Sequence, residues 1–229
     1  MALSRGRFPA RLTLPDLDPA VLEYYRLLWR GEDLYGSPSQ FPPLTAQTLF
    51  GSDAPLQIDI GCATGEFITG LAAAHPEHLF LGVEMTRKPI EHAVAKAVAL
   101  DLANIRFLQA DMILAAPLLQ PTSVSAIYLH FPVPFTTTHK RKHHTYSPRM
   151  LDIYRRTLIP GGRLSIVTDD TRVAEEIVQS VSADGWQRVA EGDWNLALGD
   201  HLKSPYQRLW EKRRRTIWRA EFEASPVVQ

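Results

Sequence analysis

Short apolar runs alternate with longer amphipathic stretches from Leu56 onward, and this alternation predicts the fold. The apolar runs have the length of β-strands and span residues 56–60, 78–83, 105–108, 124–129 and 164–167. The amphipathic stretches have helical periodicity and span residues 66–74, 86–100, 112–119, 149–158 and 172–183. Strands and helices in alternation are typical of a parallel sheet with right-handed crossover connections. The pattern therefore predicts a doubly wound α/β domain.

Both ends of the chain add to this pattern. Residues 20–29 are amphipathic and predict a short helix, whereas the proline-rich passage 37–43 predicts a loop because proline fixes φ and lacks an N–H donor. Residues 186–190 and 216–222 are expected to add late strands, one of them antiparallel, to a mostly parallel sheet. We therefore divide the chain into an N-terminal extension (1–50), a main domain (51–222) and a tail (223–229).

Composition narrows the class of protein. Of the 229 residues, 45% are hydrophobic and 22% are charged, values near the globular average that exclude wholesale disorder. No apolar run approaches the roughly 18 residues of a membrane span, and no apolar segment of a secretory signal follows the basic N-terminus. The single cysteine, Cys62, excludes an internal disulfide and suits a reducing compartment. These features predict a cytoplasmic protein with no membrane partner.

Charge is balanced over the whole chain but clustered along it. The 25 basic residues equal the 25 acidic residues, yet residues 140–156 hold six Lys or Arg with one acid, and residues 203–219 hold seven with one acid. Each cluster can neutralise nucleic-acid phosphates, or it can be a solvated helix face. The histidines beside the first cluster lack acids or cysteines at metal-ligand spacing, so no metal is expected.

A glycine-containing turn joins the first predicted strand to its helix and reads Asp59-Ile-Gly-Cys-Ala-Thr-Gly65. Gly61 and Gly65 allow a sharp turn and a close approach of the backbone to a ligand. A dinucleotide site would need the spacing G-x-G-x-x-G, and the carboxylate of Asp59 would repel a pyrophosphate. The turn suits a cationic ligand instead, such as the amino group of a methionine moiety. Cys62 in this turn is most simply a small buried residue.

Two further acids end the next two predicted strands. Glu84 stands where a carboxylate commonly accepts hydrogen bonds from ribose hydroxyls, and Asp111 stands where one can accept from an adenine amino group. Each of them alone has the alternative role of a helix N-cap. Three acids at successive strand ends of one sheet edge, counting Asp59, indicate a pocket for S-adenosylmethionine.

Several segments carry a resemblance to a known family. They are Asp59 to Gly65, Gly82-Val-Glu84, Asp111, Tyr128-Leu-His-Phe-Pro-Val-Pro-Phe135, His139-Lys-Arg-Lys142, Gly161-Gly162 and Thr168-Asp169-Asp170. In this order and spacing, the chain resembles the bacterial tRNA (guanine-N7-)-methyltransferase family over roughly residues 56–210. The resemblance implies a Rossmann-like class I methyltransferase fold, S-adenosylmethionine as the methyl donor, and a guanine in the variable loop of tRNA as the acceptor.

The resemblance also implies roles for individual residues. Asp59, Gly61, Gly65, Glu84, Asp111 and His130 are expected to bind the cofactor, although a buried structural role suits His130 equally well. The expected substrate-binding residues are Lys140, Arg141, Lys142, Asp169, Ser204, Tyr206 and Gln207. The first three of these would hold RNA phosphates, which positions the RNA without reading its sequence. Lys212-Arg-Arg-Arg215 is a second candidate for that task.

The chain departs from the family pattern on the acceptor side. Val133 replaces the acid of the family motif F-P-D-P-W, Phe135 replaces its tryptophan, and Thr137 stands in place of a lysine. The family segment T-x-[FY]-E aligns with Ser204, Tyr206 and Gln207, so its glutamate is lost. Asp169 and Asp170 are candidates to replace the missing carboxylate of Val133.

Guanine N7 carries a lone pair and no proton, so its methylation needs no general base. An acid near the base helps by orienting it and by stabilising the developing positive charge. Loss of the family acid therefore weakens the expected reaction without preventing it. Two alternatives stay open, namely a methyltransferase with another acceptor and a non-catalytic RNA-binding relative. A nicotinamide-dependent oxidoreductase fits worst, and the chain is expected to be a monomer or a homodimer.

Overall fold

The computed structural model describes residues 11–133, 144–182, 185–189 and 203–224. The strands in this part of the chain are β1 (Arg26–Leu28), β2 (Leu56–Ile60), β3 (Leu79–Glu84), β4 (Ile105–Gln109), β5 (Val124–His130), β6 (Leu158–Thr168), β7 (Trp186–Arg188) and β8 (Trp218–Ala224). The α-helices are α1 (Pro19–Tyr25), α2 (Gly31–Gly36), α3 (Ala46–Phe50), α4 (Glu66–Ala74), α5 (Arg87–Ala99), α6 (Met112–Ala115), α7 (Pro148–Thr157), α8 (Thr171–Ser182) and α9 (Pro205–Lys212). Single 3-10 turns lie at Pro38–Gln40 and Ala116–Leu118.

The described strands form one eight-stranded sheet in the order β1-β4-β3-β2-β5-β6-β8-β7. All pairs from β1 to β6 are parallel, and β8 pairs antiparallel with β6 and β7. The predicted mostly parallel, doubly wound sheet with a late antiparallel strand is therefore confirmed. The chain runs from β2 to β4 in one direction and from β5 to β6 in the other, which places the switch of direction between β2 and β5.

Two hydrophobic cores lie on the two faces of this sheet. Alternate residues of one strand point to opposite faces, and accordingly Phe80 of β3 belongs to one core and Leu81 to the other. Tyr128 and Ile127 of β5 divide in the same way. Burial on both faces explains why the central strand β3 is a nearly continuous apolar run, Leu79 to Val83, in the sequence.

The structure corrects the predicted helix at residues 20–29. Helix α1 ends at Tyr25, and the next residues form β1, which pairs with β4 in the register Arg26↔Phe107. The Trp29 N–H continues this pairing by donating to the Gln109 carbonyl over 3.1 Å. The amphipathic pattern predicted one helix because it does not show that the edge of β4 is open to another strand.

Other boundaries differ in length. The predicted strand 164–167 is the last part of the longer β6, and the predicted helix 112–119 consists of α6 and a 3-10 turn that contains Pro117. Helix α9 was not predicted, although Ser204 and Pro205 form a helix-start signal, because the basic residues dominate that segment. Strand β8 continues to Ala224, beyond the predicted start of the tail. The division into 1–50, 51–222 and 223–229 stays a prediction.

Candidate functional site

A small cleft lies where the direction of the sheet switches, at the carboxyl ends of β2 and β5. It is lined by Asp59, Gly61, Cys62, Ala63, Phe67, His130, Ser204, Tyr206 and Gln207. Open α/β sheets bind their ligands at this position because the loops that follow the two strands diverge there. The cleft therefore joins residues of β2, α4, β5 and α9 in one place.

Asp59 is the buried acid of the cleft. Its side chain belongs to a residue that is 3% exposed, and β2 holds it between Gly82 and Tyr128 of the two neighbouring strands. Burial raises the pKa of Asp59 to about 8, and the nearby charge of Glu84 adds to this effect. Within the described residues, no cation pairs with this carboxylate. An isolated buried carboxylate is costly, so the cleft favours a positively charged ligand.

The turn after Asp59 leaves open space for such a ligand. Gly61 has φ +84°, and a Cβ added there would meet no described atom within 4 Å. Gly65 also has positive φ, +77°, but a Cβ there would lie 2.6 Å from the Cβ of Ala93. The two glycines therefore serve different purposes: Gly61 keeps the cleft open, and Gly65 lets α4 pack closely against α5.

Cys62 has the structural role that its small size suggested. Its Sγ lies 2.9 Å from the position a Cβ on Gly82 would take, so the thiol fills the space above β3. Burial raises the pKa of the Cys62 thiol, with Asp59 contributing further. The thiol therefore stays protonated and contributes an apolar wall.

Glu84 ends β3, and Asp111 lies two residues beyond the end of β4, at the same end of the sheet as Asp59. The Oε1 atom of Glu84 accepts from the Thr86 N–H over 2.7 Å, and Oδ1 of Asp111 accepts from the Ile113 N–H over 2.9 Å. Asp111 is the N-cap of α6. Asp111 thus has the capping role that was its alternative, whereas Glu84 accepts from the N–H of Thr86, which is itself the N-cap of α5. A carboxylate has two oxygens and about four acceptor sites, so capping leaves capacity for a ligand.

His130 forms the β5 side of the cleft. Its ring centroid lies 4.4 Å from that of Phe67, and its Nε2 lies 3.4 Å from the Ser165 hydroxyl. Burial lowers the pKa of His130 to about 3, and the positive charge of Arg219 lowers it further. The imidazole is therefore neutral at physiological pH. Phe67 was not among the predicted site residues, although its place two residues after Gly65 on the helix facing the turn was a usable signal.

The start of α9 closes the cleft from the other side. Ser204 is the N-cap of this helix, and its hydroxyl accepts from the Gln207 N–H over 3.1 Å. The Gln207 side-chain amide donates to Glu211 over 2.9 Å. Burial raises the pKa of Tyr206, and the nearby charge of Glu84 adds to it. The three residues predicted to bind substrate therefore do lie together with Asp59 and His130.

Asp169 and Asp170 follow β6 and have different partners. Asp169 forms an ion pair with Arg215, whose guanidinium lies 4.1 Å from the ring centroid of Trp210. Asp170 is buried and accepts from the backbone N–H of Arg172 over 3.0 Å, and it also pairs with the Arg172 side chain. Both carboxylates are therefore engaged with arginines. The pairing with Arg215 spans 46 positions and had no signal in the sequence.

Comparisons with known proteins identify the family. A family model described as "Putative methyltransferase" matches residues 53–220. The tRNA (guanine-N(7)-)-methyltransferase of Rubrobacter xylanophilus is 37% identical over 93% of this chain and 96% of its own length. That of Chloroflexus aurantiacus is 38% identical over 94% of this chain and 95% of its own length. The chain belongs to the tRNA (guanine-N7-)-methyltransferase family.

Solved structures confirm the fold of this family member. The 16S rRNA methyltransferase KamB has a TM-score of 0.57 and 18% identity, with 79% of this chain and 92% of that chain covered. The aminoglycoside resistance methyltransferase NpmB1 has a TM-score of 0.51 and 21% identity, with 74% and 87% covered. At these identities the likeness shows the Rossmann-like class I methyltransferase fold alone.

Val133 marks the point where this member differs from the family motif. It lies beyond the end of β5 and is 53% exposed. Phe131, two residues earlier, has φ 53°, and its N–H donates to the Val167 carbonyl over 2.6 Å. The backbone therefore turns sharply just before Val133. The other predicted residues of this segment, Phe135, Thr137, Lys140, Arg141 and Lys142, lie outside the described residues.

Two further properties concern ions and membranes. Within the described ranges, no group of three or more His, Cys, Asp or Glu is arranged to hold a metal ion. No helix in the same part of the chain is long and apolar enough to cross a membrane.

Proposed function

We propose that this protein transfers the methyl group of S-adenosylmethionine to N7 of a guanine in the variable loop of tRNA. Family membership supports the reaction, since relatives at 37% and 38% identity over more than nine tenths of the chain are named tRNA (guanine-N(7)-)-methyltransferases. The observation that carries the proposal is Asp59, a buried carboxylate without a cationic partner among the described residues, beside the open space at Gly61.

The cleft fits the proposed methyl donor. S-adenosylmethionine carries an ammonium and a sulfonium group, and it supplies an electrophilic methyl group when bound. A bound cation favours the ionised form of Asp59, which then provides the negative charge for the cationic end, and the backbone at Gly61 has no side chain in the way. Glu84 has an acceptor oxygen left for the ribose hydroxyls, and Asp111 has one left for the adenine amino group.

The residues of the acceptor side orient guanine and do not take a proton from it. N7 attacks with its lone pair, so the protein must bring it within about 3–3.5 Å of the methyl carbon and in line with the breaking bond. His130 is neutral because its pKa is about 3, so it adds no positive charge beside a cationic donor or a cationic product. Tyr206 and Gln207 lie across the cleft and can contact the base.

A single assay tests this function. The protein is incubated with S-adenosylmethionine and an unmodified tRNA transcript, and the nucleosides are then analysed by mass spectrometry. We expect 7-methylguanosine, and we expect it to disappear when the variable-loop guanine is replaced by adenine. Methylation of another nucleoside would show a different acceptor, and tRNA binding without transfer would show a non-catalytic relative. Either result overturns the proposal.

A further inference from the structure

The last residue of α9 and the turn that follows it present three exposed cations in succession, Lys212, Arg213 and Arg214. None of them forms an ion pair with a carboxylate among the described residues. The neighbouring cations are engaged, because Lys203 pairs with Glu211 and Arg215 pairs with Asp169. We refer to residues 212–214 as the basic turn.

The basic turn has a defined backbone. The N–H of Arg214 donates to the Glu211 carbonyl over 2.9 Å, and the N–H of Arg215 donates to the Trp210 carbonyl over 3.0 Å. Arg214 has φ 54°, which ends the helix. The guanidinium of Arg213 lies 5.4 Å from the centroid of the Trp210 ring, and that ring is buried. The three cations are therefore presented on an ordered turn.

The basic turn lies on the same sheet edge as the cleft. The ion pair between Asp169 and Arg215 ties the end of α9 to the carboxyl end of β6, where Thr168 pairs with Trp218 of β8. The other end of α9 carries Tyr206, which lines the cleft. A helix rises 1.5 Å per residue, so Lys212 stands about 9 Å along the axis from Tyr206. This distance suits an RNA strand that places one base in the cleft and its neighbouring phosphates on the turn.

We infer that Lys212, Arg213 and Arg214 bind backbone phosphates of the acceptor RNA next to the methylated nucleotide. The inference rests on the proposed function, because it takes the acceptor to be an RNA base in the cleft. Exposed cations without a carboxylate partner break no ion pair when they bind phosphate, and they release the counterions condensed on the RNA. Contacts of this kind determine where the strand lies without reading its sequence.

Salt dependence of tRNA binding tests the basic turn directly. The variants are Lys212→Gln, Arg213→Gln and Arg214→Asn, since asparagine tolerates the left-handed backbone of position 214. Each substitution should reduce the slope of log affinity against log salt by about 0.7–0.9, and the triple variant by about 2–2.7. Affinity for S-adenosylmethionine should stay unchanged, which shows that the cleft is intact.

Arg30 provides the matched control. It is exposed and follows β1, the outermost strand on the side of the sheet away from β8. Six strand spacings, or about 29 Å, separate β1 from β8. Arg30→Gln removes the same charge and should leave the slope unchanged. An equal drop for Arg30→Gln, or an unchanged slope for the triple variant, would overturn the inference.

The same measurements separate this inference from the proposed function. If the parent protein neither binds nor methylates the tRNA transcript, the proposed function fails. If the parent binds and methylates it while the triple variant keeps the parental slope, only the role of the basic turn is wrong.

Discussion

The carboxylate of Asp169 and the guanidinium of Arg215 form an ion pair that joins the carboxyl end of β6 to the end of α9. Helix α9 begins at the cleft with Ser204 and Tyr206, so the pair holds in place the element that closes one side of the cleft. Asp170, the next residue, is committed to the start of α8 instead. Two adjacent acids thus have separate tasks, one in positioning α9 and one in helix capping.

Substitution of these two acids should therefore affect different properties. Asp169→Asn should lower kcat/KM for tRNA about fivefold, the effect of about 1 kcal/mol for a partly exposed ion pair, and leave S-adenosylmethionine affinity unchanged. Asp170→Asn should lower the free energy of unfolding by about 1 kcal/mol because asparagine caps but cannot pair with Arg172. Steady-state kinetics and urea denaturation measure the two effects. Equal effects of both variants on kcat/KM would contradict the positioning role of Asp169.

The pKa of Asp59 predicts how the stability of the ligand-free protein depends on pH. Its ordinary value is 3.8, and in the folded protein it is about 8. Between these values the unfolded chain has lost a proton that the folded protein still holds, so stability falls as pH rises through this window. Asp59→Asn cannot ionise, and it should raise the Tm at pH 8 relative to the parent by more than at pH 5. The same Tm difference at both pH values would show that Asp59 is not buried as described.

Binding of S-adenosylmethionine should show the opposite dependence. The ionised form of Asp59 attracts the cationic end of the ligand, so the affinity of the parent should increase as pH rises toward 8. Asp59→Asn should bind more weakly at pH 8 and lack this increase. Calorimetry at several pH values measures the affinity of the parent and of the variant. A parallel pH profile in the variant would argue that Asp59 does not bind the cationic end of S-adenosylmethionine.

Glu84 provides a second test of the cofactor site. Glu84→Gln keeps an oxygen acceptor for the Thr86 N–H but removes the charge that strengthens hydrogen bonds to ribose. Such bonds contribute about 1.5–3 kcal/mol each, so S-adenosylmethionine affinity should fall at least about tenfold. Glu32→Gln is the control because Glu32 is an exposed acid in α2, far from the cleft. Unchanged affinity in Glu84→Gln would place the ribose elsewhere.

The two glycines after Asp59 should respond differently to alanine. Gly65→Ala adds a Cβ against Ala93 at a left-handed backbone position, so it should cost about 2–4 kcal/mol of stability. Gly61→Ala meets no described atom and should cost about 1–2 kcal/mol, while the added methyl group enters the cleft and weakens S-adenosylmethionine binding. Denaturation and calorimetry compare the two. A larger stability loss for Gly61→Ala would contradict the assigned roles.

Val133 is the position at which restoration of the family acid can be tested. Val133→Asp combined with Thr137→Lys should increase methyl transfer to guanine, because the carboxylate orients the base and stabilises the positive charge formed on N7. Single-turnover assays with tRNA measure this change. If the parent already methylates at the rate of the double variant, another group orients the base in this protein.

Local pattern was enough to predict the parallel core and to place the three acids at one end of the sheet. Strands such as 79–83 and 124–129 are largely buried on both faces, so their mostly apolar residues identify them without knowledge of their neighbours. In a parallel sheet all strand ends meet at one edge, which is why Asp59, Glu84 and Asp111 were expected together. Ser204, Tyr206 and Gln207 were expected at the site only through family resemblance, because they lie far along the chain.

Contacts between distant segments decided the remaining features. The helical pattern of residues 20–29 is a local property, whereas formation of β1 depends on the free edge of β4, and pairing energy outweighs helix propensity there. The partner of Asp169 is Arg215, and nothing in the spacing of the two residues distinguishes Arg215 from the adjacent arginines. The low pKa of His130 and the high pKa of Asp59 arise from burial, which exists only once α4, β5 and α9 have packed together. Residue order therefore specified which chemical groups reach the sheet edge, and tertiary packing decided their charge and their partners.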